Sequence, residues 1–316
     1  MWNLSNTPPQ TIEARVLTRL PDAFRRRQRT EWSDANKPGH EVDCFIEGPT
    51  FDREGNLYVV DIPFGRIFRI TPQLEWSLVV QYDGWPNGTA LHRDGSLWIA
   101  DYRRGILRLE MTSPAPGRHP REGGGPITIL GHRSSESFKG VNDLTFDRDG
   151  NCYFTDQGQT GLHDPSGRVY RLRANSQLDL LLGGIPSPNG IALDATGKFL
   201  FVAVTRANQV WRGPLLPDGS VTKVGAFRTF FGASGPDGMA VDVDNRLVVA
   251  HASLGGAFVC NARGEVTHFV KSPAGSTVTN VAYRPGTSKL VMTESETGSI
   301  LEADLPAAGA PLFSHS

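Results

Sequence analysis

Several things this chain lacks narrow its reading before any pattern is sought. Its 316 residues hold only three cysteines, Cys44, Cys152 and Cys260, odd in number and far apart. That argues against a disulfide framework and leaves no Cys/His spacing for a structural zinc site. No apolar run approaches the roughly 18 to 20 residues of a membrane-spanning helix. The opening MWNLSNTPPQTIEARVLTRL has no basic start followed by an apolar stretch, as a secretory signal would. Charge of one sign is missing too. With 32 basic against 33 acidic side chains and a net charge of −1, neither nucleic acid nor a membrane surface is expected as a partner. Long helical periodicity with caps at both ends is absent, which disfavours a two-domain α/β enzyme. A cytoplasmic location is the expectation; oligomeric state is not legible.

What the chain does have is glycine, 35 residues, and proline, 22, together with an internal repeat. The copies are EGPTFDREGNLYVVD from Glu47, NGTALHRDGSLWIAD from Asn87, NDLTFDRDGNCYFTD from Asn142, NGIALDATGKFLFVAV from Asn189, DGMAVDVDNRLVVAH from Asp237 and the weaker TNVAYRPGTSKLVMTE from Thr279. Their starts lie 40 to 55 residues apart, close to the period of a four-stranded propeller blade. The longest interval contains a Pro/Gly-rich insertion at 112–126. Within each unit apolar residues alternate as in a strand, and third strands follow at Arg66–Ile70, Ile106–Leu109 and Arg168–Leu172. Ser77–Gln81 suggests a fourth. These features predict an all-β fold, a single six-bladed propeller over 1–316 built from four-stranded antiparallel blades. The last unit stops after Ser299–Asp304, so the segment at about 11–20 is predicted to close the ring by pairing with that blade.

An antiparallel first and second strand return the chain to the same rim. Glu47, Asn87, Asn142, Asn189, Asp237 and Thr279 open the first strands there. Asp61, Asp101, Asp156, His251 and Glu294 close the second strands. Taken singly, Asn-Gly and Asp-Gly are common turn pairs. Taken together, they bring the carboxylates of Glu47 and Asp237 to one rim, where two like charges shift pKa or need a cation between them. With the amide oxygens of Asn142 and Asn189 they form an all-oxygen set of charge −2. Such a set suits a hard divalent ion, calcium foremost, with magnesium, manganese or zinc as the other options.

At these residues the sequence resembles the SMP-30/gluconolactonase/LRE-like family of six-bladed propellers. The resemblance covers roughly residues 40–305 and rests on EGPTFD at 47–52, GVNDLTFDRDGNCYFTD at 140–156, SPNGIALD at 187–194 and GPDGMAVD at 235–242. It implies metal ligation by Glu47, Asn142, Asn189 and Asp237, with Asp237 also as general base, in a metal-dependent lactonase. Water would attack a carbonyl polarised by the ion. A carboxylate that ligates a metal loses basicity, so Asp156 and His251 stand as alternative bases on the same rim. Sugar-lactone members often carry Arg two residues before the first metal-binding Asn. Here that position is Gly140, preceded by Lys139, which points away from gluconolactone itself.

The substrate is expected to be a small lactone. Asn87, His132, Lys139, Gln157 and Gln159 are candidate contacts, and Trp85 a candidate pocket wall. The basic run FRRRQR at 24–29, followed at once by EWSD, is read as a solvated loop. Two other functions fit a propeller: a non-catalytic binding module, and a metal-free enzyme resembling strictosidine synthase.

Overall fold

In the computed structural model, which describes residues 7–111 and 125–315, the chain is almost entirely strand. The insertion at 112–126 falls outside the described residues apart from Gly125 and Pro126. Six blades, each with four antiparallel strands, follow one another around a ring. Their first strands are Ile46–Phe51, Pro86–Leu91, Val141–Phe146, Pro188–Leu193, Pro236–Val241 and Val278–Tyr283. Each begins one residue before the start of its repeat. The first strands touch one another in order, and the sixth touches the first. The result is a six-bladed β-propeller with these strands lining the central channel.

Blade contacts explain the alternating sequences. Ala192 and Phe201 of the fourth blade pack with Met239, Leu247, Val249 and Phe258 of the fifth. Val278, Leu290 and Leu301 of the sixth pack with Val248, Ala250 and Val259 of the fifth. Both faces of a blade are therefore buried, and truncating a central residue such as Phe258 to Ala would cost about 3–5 kcal/mol. At the turn between first and second strands, the repeated Asp accepts backbone hydrogen bonds. Asp52 Oδ1 takes the Asn56 N–H at 2.8 Å, Asp147 Oδ1 that of Asn151 at 2.9 Å, and Asp242 Oδ1 that of Arg246 at 2.8 Å.

Ring closure uses the N-terminal segment, as predicted, but in two pieces. Arg15–Arg19 pairs antiparallel with Ser299–Asp304 and supplies the fourth strand of the sixth blade. Gln10–Glu13 instead runs parallel to Val266–Lys271 and adds a fifth strand to the fifth blade. Between them Ala14 is buried against both blades, so the chain changes sheets where a small side chain fits. Near the C-terminus, residues 308–314 cross the end of the channel formed by the first turns. Ala310 N–H bonds to Val241 O at 2.9 Å, Phe313 packs on His92 and Phe146, and Ser314 O accepts from Arg53 Nε at 2.8 Å. The sequence offered no reading of this strap.

The solvated-loop reading of 24–29 holds for the exposed Arg26, Arg27 and Arg29. Arg25 is different: it bonds to Leu20 O, Asp43 and Thr297 O. The EWSD that follows opens a short helix, Glu31–Asn36, capped by Thr30 and Ser33 in a reciprocal capping box. Cys44, Cys152 and Cys260 are buried thiols, none in a disulfide. Among the described residues no helix is long and apolar enough to cross a membrane.

Candidate metal centre and active site

Each residue opening a repeat sits at an irregularity in strand pairing. The register shifts between Glu47 and Thr50, Pro86 and Thr89, Val141 and Leu144, Pro188 and Ile191, Pro236 and Met239, and Val278 and Asn280. A bulge lets consecutive residues turn out of the pleat and re-aims a side chain. Glu47, Asn87, Asn142, Asn189, Asp237 and Thr279 thereby all line one cavity of about 780 Å³ at the channel mouth. The Gly that follows most of them makes no tight turn; it admits the neighbouring blade. A Cβ on Gly190 would lie 2.2 Å from Asp237 O, and one on Gly238 2.0 Å from Asn280 Oδ1. Hydroxyl groups tie the same strands together: Thr155 Oγ1 donates to Asn189 O at 2.7 Å, Thr205 Oγ1 to Pro236 O at 2.8 Å, and Ser295 Oγ to Ile46 O at 2.7 Å.

Where Gly is replaced in the repeat, a polar side chain stands beside the residues that line the cavity. Asn280 Nδ2 donates to Glu47 Oε2 at 2.9 Å, and the Gly48 N–H reaches the same oxygen at 2.6 Å. Asp143 accepts from the Leu144 N–H at 2.8 Å, with a longer contact of 3.4 Å from Ile191 N. Neither was singled out from sequence as a site residue. The available signal was a polar residue standing where the other repeats have Gly.

The electrostatics are severe. Glu47, Asp143 and Asp237 are 3%, 8% and 9% exposed, and none forms an ion pair among the described residues. Burial lifts the Glu47 carboxyl above its ordinary range, against hydrogen bonds from Gly48, Asn280 and Thr279. Asp237 is raised further, first by burial and then by the charges of Glu47 and Asp143, opposed by Asn189 and Arg206. Asp143 is pushed up to about 7, again chiefly by burial. Glu47 and Asp237, buried, lining the cavity and without an ion pair, have with the amides of Asn142 and Asn189 the donor chemistry for a divalent cation; among the described residues no three acidic, histidine or cysteine side chains are grouped closely enough to hold one. Asn142 Nδ2 is spent on Gln157 Oε1 at 2.8 Å, which leaves Asn142 Oδ1 as a neutral oxygen donor.

The residues closing the second strands are not part of this cluster. Asp61 accepts the Phe45 N–H at 2.7 Å and pairs with buried Arg66. Asp101 takes the N–H groups of Arg103 and Arg104 and the Tyr82 hydroxyl. Asp156 Oδ1 accepts from the N–H groups of Lys139 and Gly140 at 2.7 and 2.9 Å, while Oδ2 pairs with Arg168. Glu294 holds the N–H groups of Glu296 and Thr297. Each clasps the loops of its own blade. His251 occupies the matching place in the fifth blade. It is fully buried between Phe230 and Phe258, and Nε2 faces Asn208 Oδ1 at 3.2 Å. Asn208 Nδ2 donates to Gly232 O and Ser234 O, so its Oδ1 receives the Nε2–H of a neutral imidazole. Burial pushes the His251 pKa down to about 4, against a smaller upward pull from the Phe231 backbone.

Of the other candidates, Asn87, Gln157, Gln159 and Trp85 line the cavity. Gln157 Nε2 donates to Ser187 Oγ at 2.9 Å and Gln159 Nε2 to the Tyr102 hydroxyl at 3.2 Å. His132 lies in an exposed two-residue hairpin strand, and Lys139 contributes its backbone N–H to Asp156; neither side chain lines the cavity. Gly140 has a φ of 155° and no room for a side chain, since a Cβ would meet the Tyr102 ring at 2.4 Å. The cavity wall also includes Trp32, Lys37, Phe45, Tyr102, His163 and Arg206, none of which carried a repeat signal.

A six-bladed propeller with buried carboxylates and amides gathered at one mouth of its channel is the class that fold and site define. The sequence model of the SMP-30/Gluconolactonase/LRE-like region matches residues 45–296, and the chain belongs to that family. It is 29% identical over 288 residues to the lactonase drp35 of Staphylococcus aureus (strain MRSA252), covering 84% of this chain and 82% of the relative. Two solved structures share the fold. The calcium-binding protein regucalcin of Agrobacterium tumefaciens strain C58 superimposes with a TM-score of 0.73 at 18% identity, over 97% of this chain and 99% of its own. A gluconolactonase of Xanthomonas campestris gives 0.71 at 20% identity, over 83% and 86%.

Proposed function

We propose that this hydrolase of the lactonase type depends on a divalent cation, calcium foremost, held by Glu47, Asn142, Asn189 and Asp237, and opens a small lactone by attack of water. Family membership and the lactonase relative support the reaction class. The carrying observation is that Glu47 and Asp237, both buried and without an ion pair among the described residues, line one cavity with Asn142 and Asn189. When bound, the cation would polarise the lactone carbonyl and offset the carboxylate charges.

The chain's own groups supply the rest. Asp237, which lines the cavity, is the general base that takes a proton from the attacking water, the role the family resemblance implies for it. The water oxygen bonds to the carbonyl carbon. The ring C–O bond then breaks, and the departing oxygen recovers a proton, giving a hydroxy acid. Asn280 and the Gly48 N–H orient Glu47. Gln157 fixes the Asn142 amide. Asp156 and His251 serve the scaffold, because the oxygens of the first are committed and the ring of the second lies outside the cavity.

A panel of aliphatic and aromatic lactones, assayed with a pH indicator in calcium, magnesium, manganese or zinc, tests this reading. Excess EDTA should abolish turnover, and Glu47→Ala should lose both turnover and the rise in melting temperature on adding the ion. Full activity in EDTA with no metal by elemental analysis would refute it.

A further inference from the structure

The cavity separates its charges by depth. Its acidic lining residues are Glu47 and Asp237, 3% and 9% exposed. The lysine and arginine in the lining, Lys37 and Arg206, are half-buried and exposed respectively. The floor is therefore acidic and the rim basic. Lys37 is engaged over the Phe45 ring, 5.1 Å from its centroid. Arg206 forms no ion pair among the described residues. It lies beside His163: a Cβ placed on Gly161 would be 3.1 Å from His163 Nδ1 and 3.8 Å from Arg206 Cγ. Across the cavity, Trp32, Phe45, Trp85 and Tyr102 form an apolar wall, with Trp85 and Tyr102 packed at 5.5 Å.

Such a lining is bipolar. An apolar body gains by covering the aromatic wall, while an unpaired guanidinium takes a carboxylate or phosphate with charge-assisted hydrogen bonds. With the cation in place the floor is taken up by the lactone carbonyl, and the exposed guanidinium of Arg206 at the rim is the place in the lining that suits a substrate anion. A neutral polyol would satisfy neither feature. We propose that the substrate is an amphipathic lactone bearing an anionic substituent, with its apolar body against the wall of Trp32, Phe45, Trp85 and Tyr102 and its anion held by Arg206 beside His163. This rests on the lactonase reading given above, and Arg206 is its specificity determinant.

The test uses matched probes: a γ-phenyl-γ-butyrolactone carrying a para-carboxylate, and the same compound with a neutral para-carboxamide. Hydrolysis-resistant lactams of both serve for calorimetric binding to the full chain with calcium. The carboxylated lactam should bind roughly 10- to 100-fold tighter than the carboxamide, the scale of a hydrogen bond to a charged group. Arg206→Gln should bring the two affinities within about 2-fold, and Arg206→Lys, which keeps the charge, should retain part of the ratio. Rising salt should narrow the ratio in the wild type. Equal affinities in the wild type, or a ratio unchanged by Arg206→Gln in a variant of unaltered melting temperature, would overturn the proposal. Lactam binding is read without turnover. If the carboxylated lactam is preferred while no lactone is opened with any ion, the hydrolase reading fails and the anion site stands.

Discussion

His251 gives the sharpest quantitative expectation. Its ring is wholly buried against Phe230 and Phe258 and donates Nε2–H to Asn208, with only the Phe231 backbone favouring the charged form. Protonation would place an uncompensated charge in that apolar site, which is why its pKa falls from 6.5 to about 4. Above pH 6.5 the imidazole is neutral whether the chain is folded or not, and it adds no pH dependence. Between 6.5 and 4 the unfolded chain binds a proton that the folded chain refuses, so stability declines as pH falls. The slope is about 1.4 kcal/mol per pH unit, and the shift of about 2.5 units gives a total loss of roughly 3 kcal/mol. Carboxylates titrate in part of the same window, so the informative quantity is the difference between wild type and His251→Leu in urea unfolding. The variant loses the Asn208 bond at every pH, a constant offset. The wild-type advantage should shrink by about 3 kcal/mol from pH 7.5 to 4. A difference that stays flat or widens toward acid would refute the reasoning. The same variant should keep its turnover at neutral pH; a loss of about 100-fold or more would return His251 to the role of base.

Two further perturbations probe the site and the closure. Gly238→Ala places a methyl 2.0 Å from Asn280 Oδ1. It should displace that amide from Glu47 and cut the melting-temperature gain on adding calcium; an undiminished gain would show that Asn280 does not position Glu47. Removing residues 1–14 deletes only the outer strand on the fifth blade, whereas removing 1–20 also deletes the fourth strand of the sixth. The shorter truncation should lower the melting temperature by a few degrees, about 1–2 kcal/mol for a chain of this size. The longer should unfold at a much lower temperature, and an unchanged melting temperature would show that the ring does not need this strand.

Strand patterns repeat locally, so the number of blades, the start of each and the channel-mouth register of Glu47, Asn142, Asn189 and Asp237 were legible in the sequence. Alternation and the Asp-rich turns are imposed by neighbours within a blade, and they recur wherever a blade recurs. Some residues carry no such imprint. Asp143 and Asn280 stand where other repeats have Gly, and only the close approach of the next blade shows that they stand beside the residues lining the cavity. Trp32 arrives from a short helix outside the repeat and Lys37 from the residue that caps it, and Arg206 from the 3-10 turn Thr205–Ala207 between strands. The matching polar ends of the second strands suggested more site residues than the structure supplies. Asp61, Asp101, Asp156 and Glu294 turn to their own loops, and His251 into the core, because backbone N–H groups and apolar neighbours reach them first. The repeated scaffold and the acids and amides that open its first strands depend on residues close in the chain, and so could be read from it. Tertiary structure decided which side chains share the cavity and which carboxyls remain unpaired, because those outcomes depend on contacts between blades far apart in sequence.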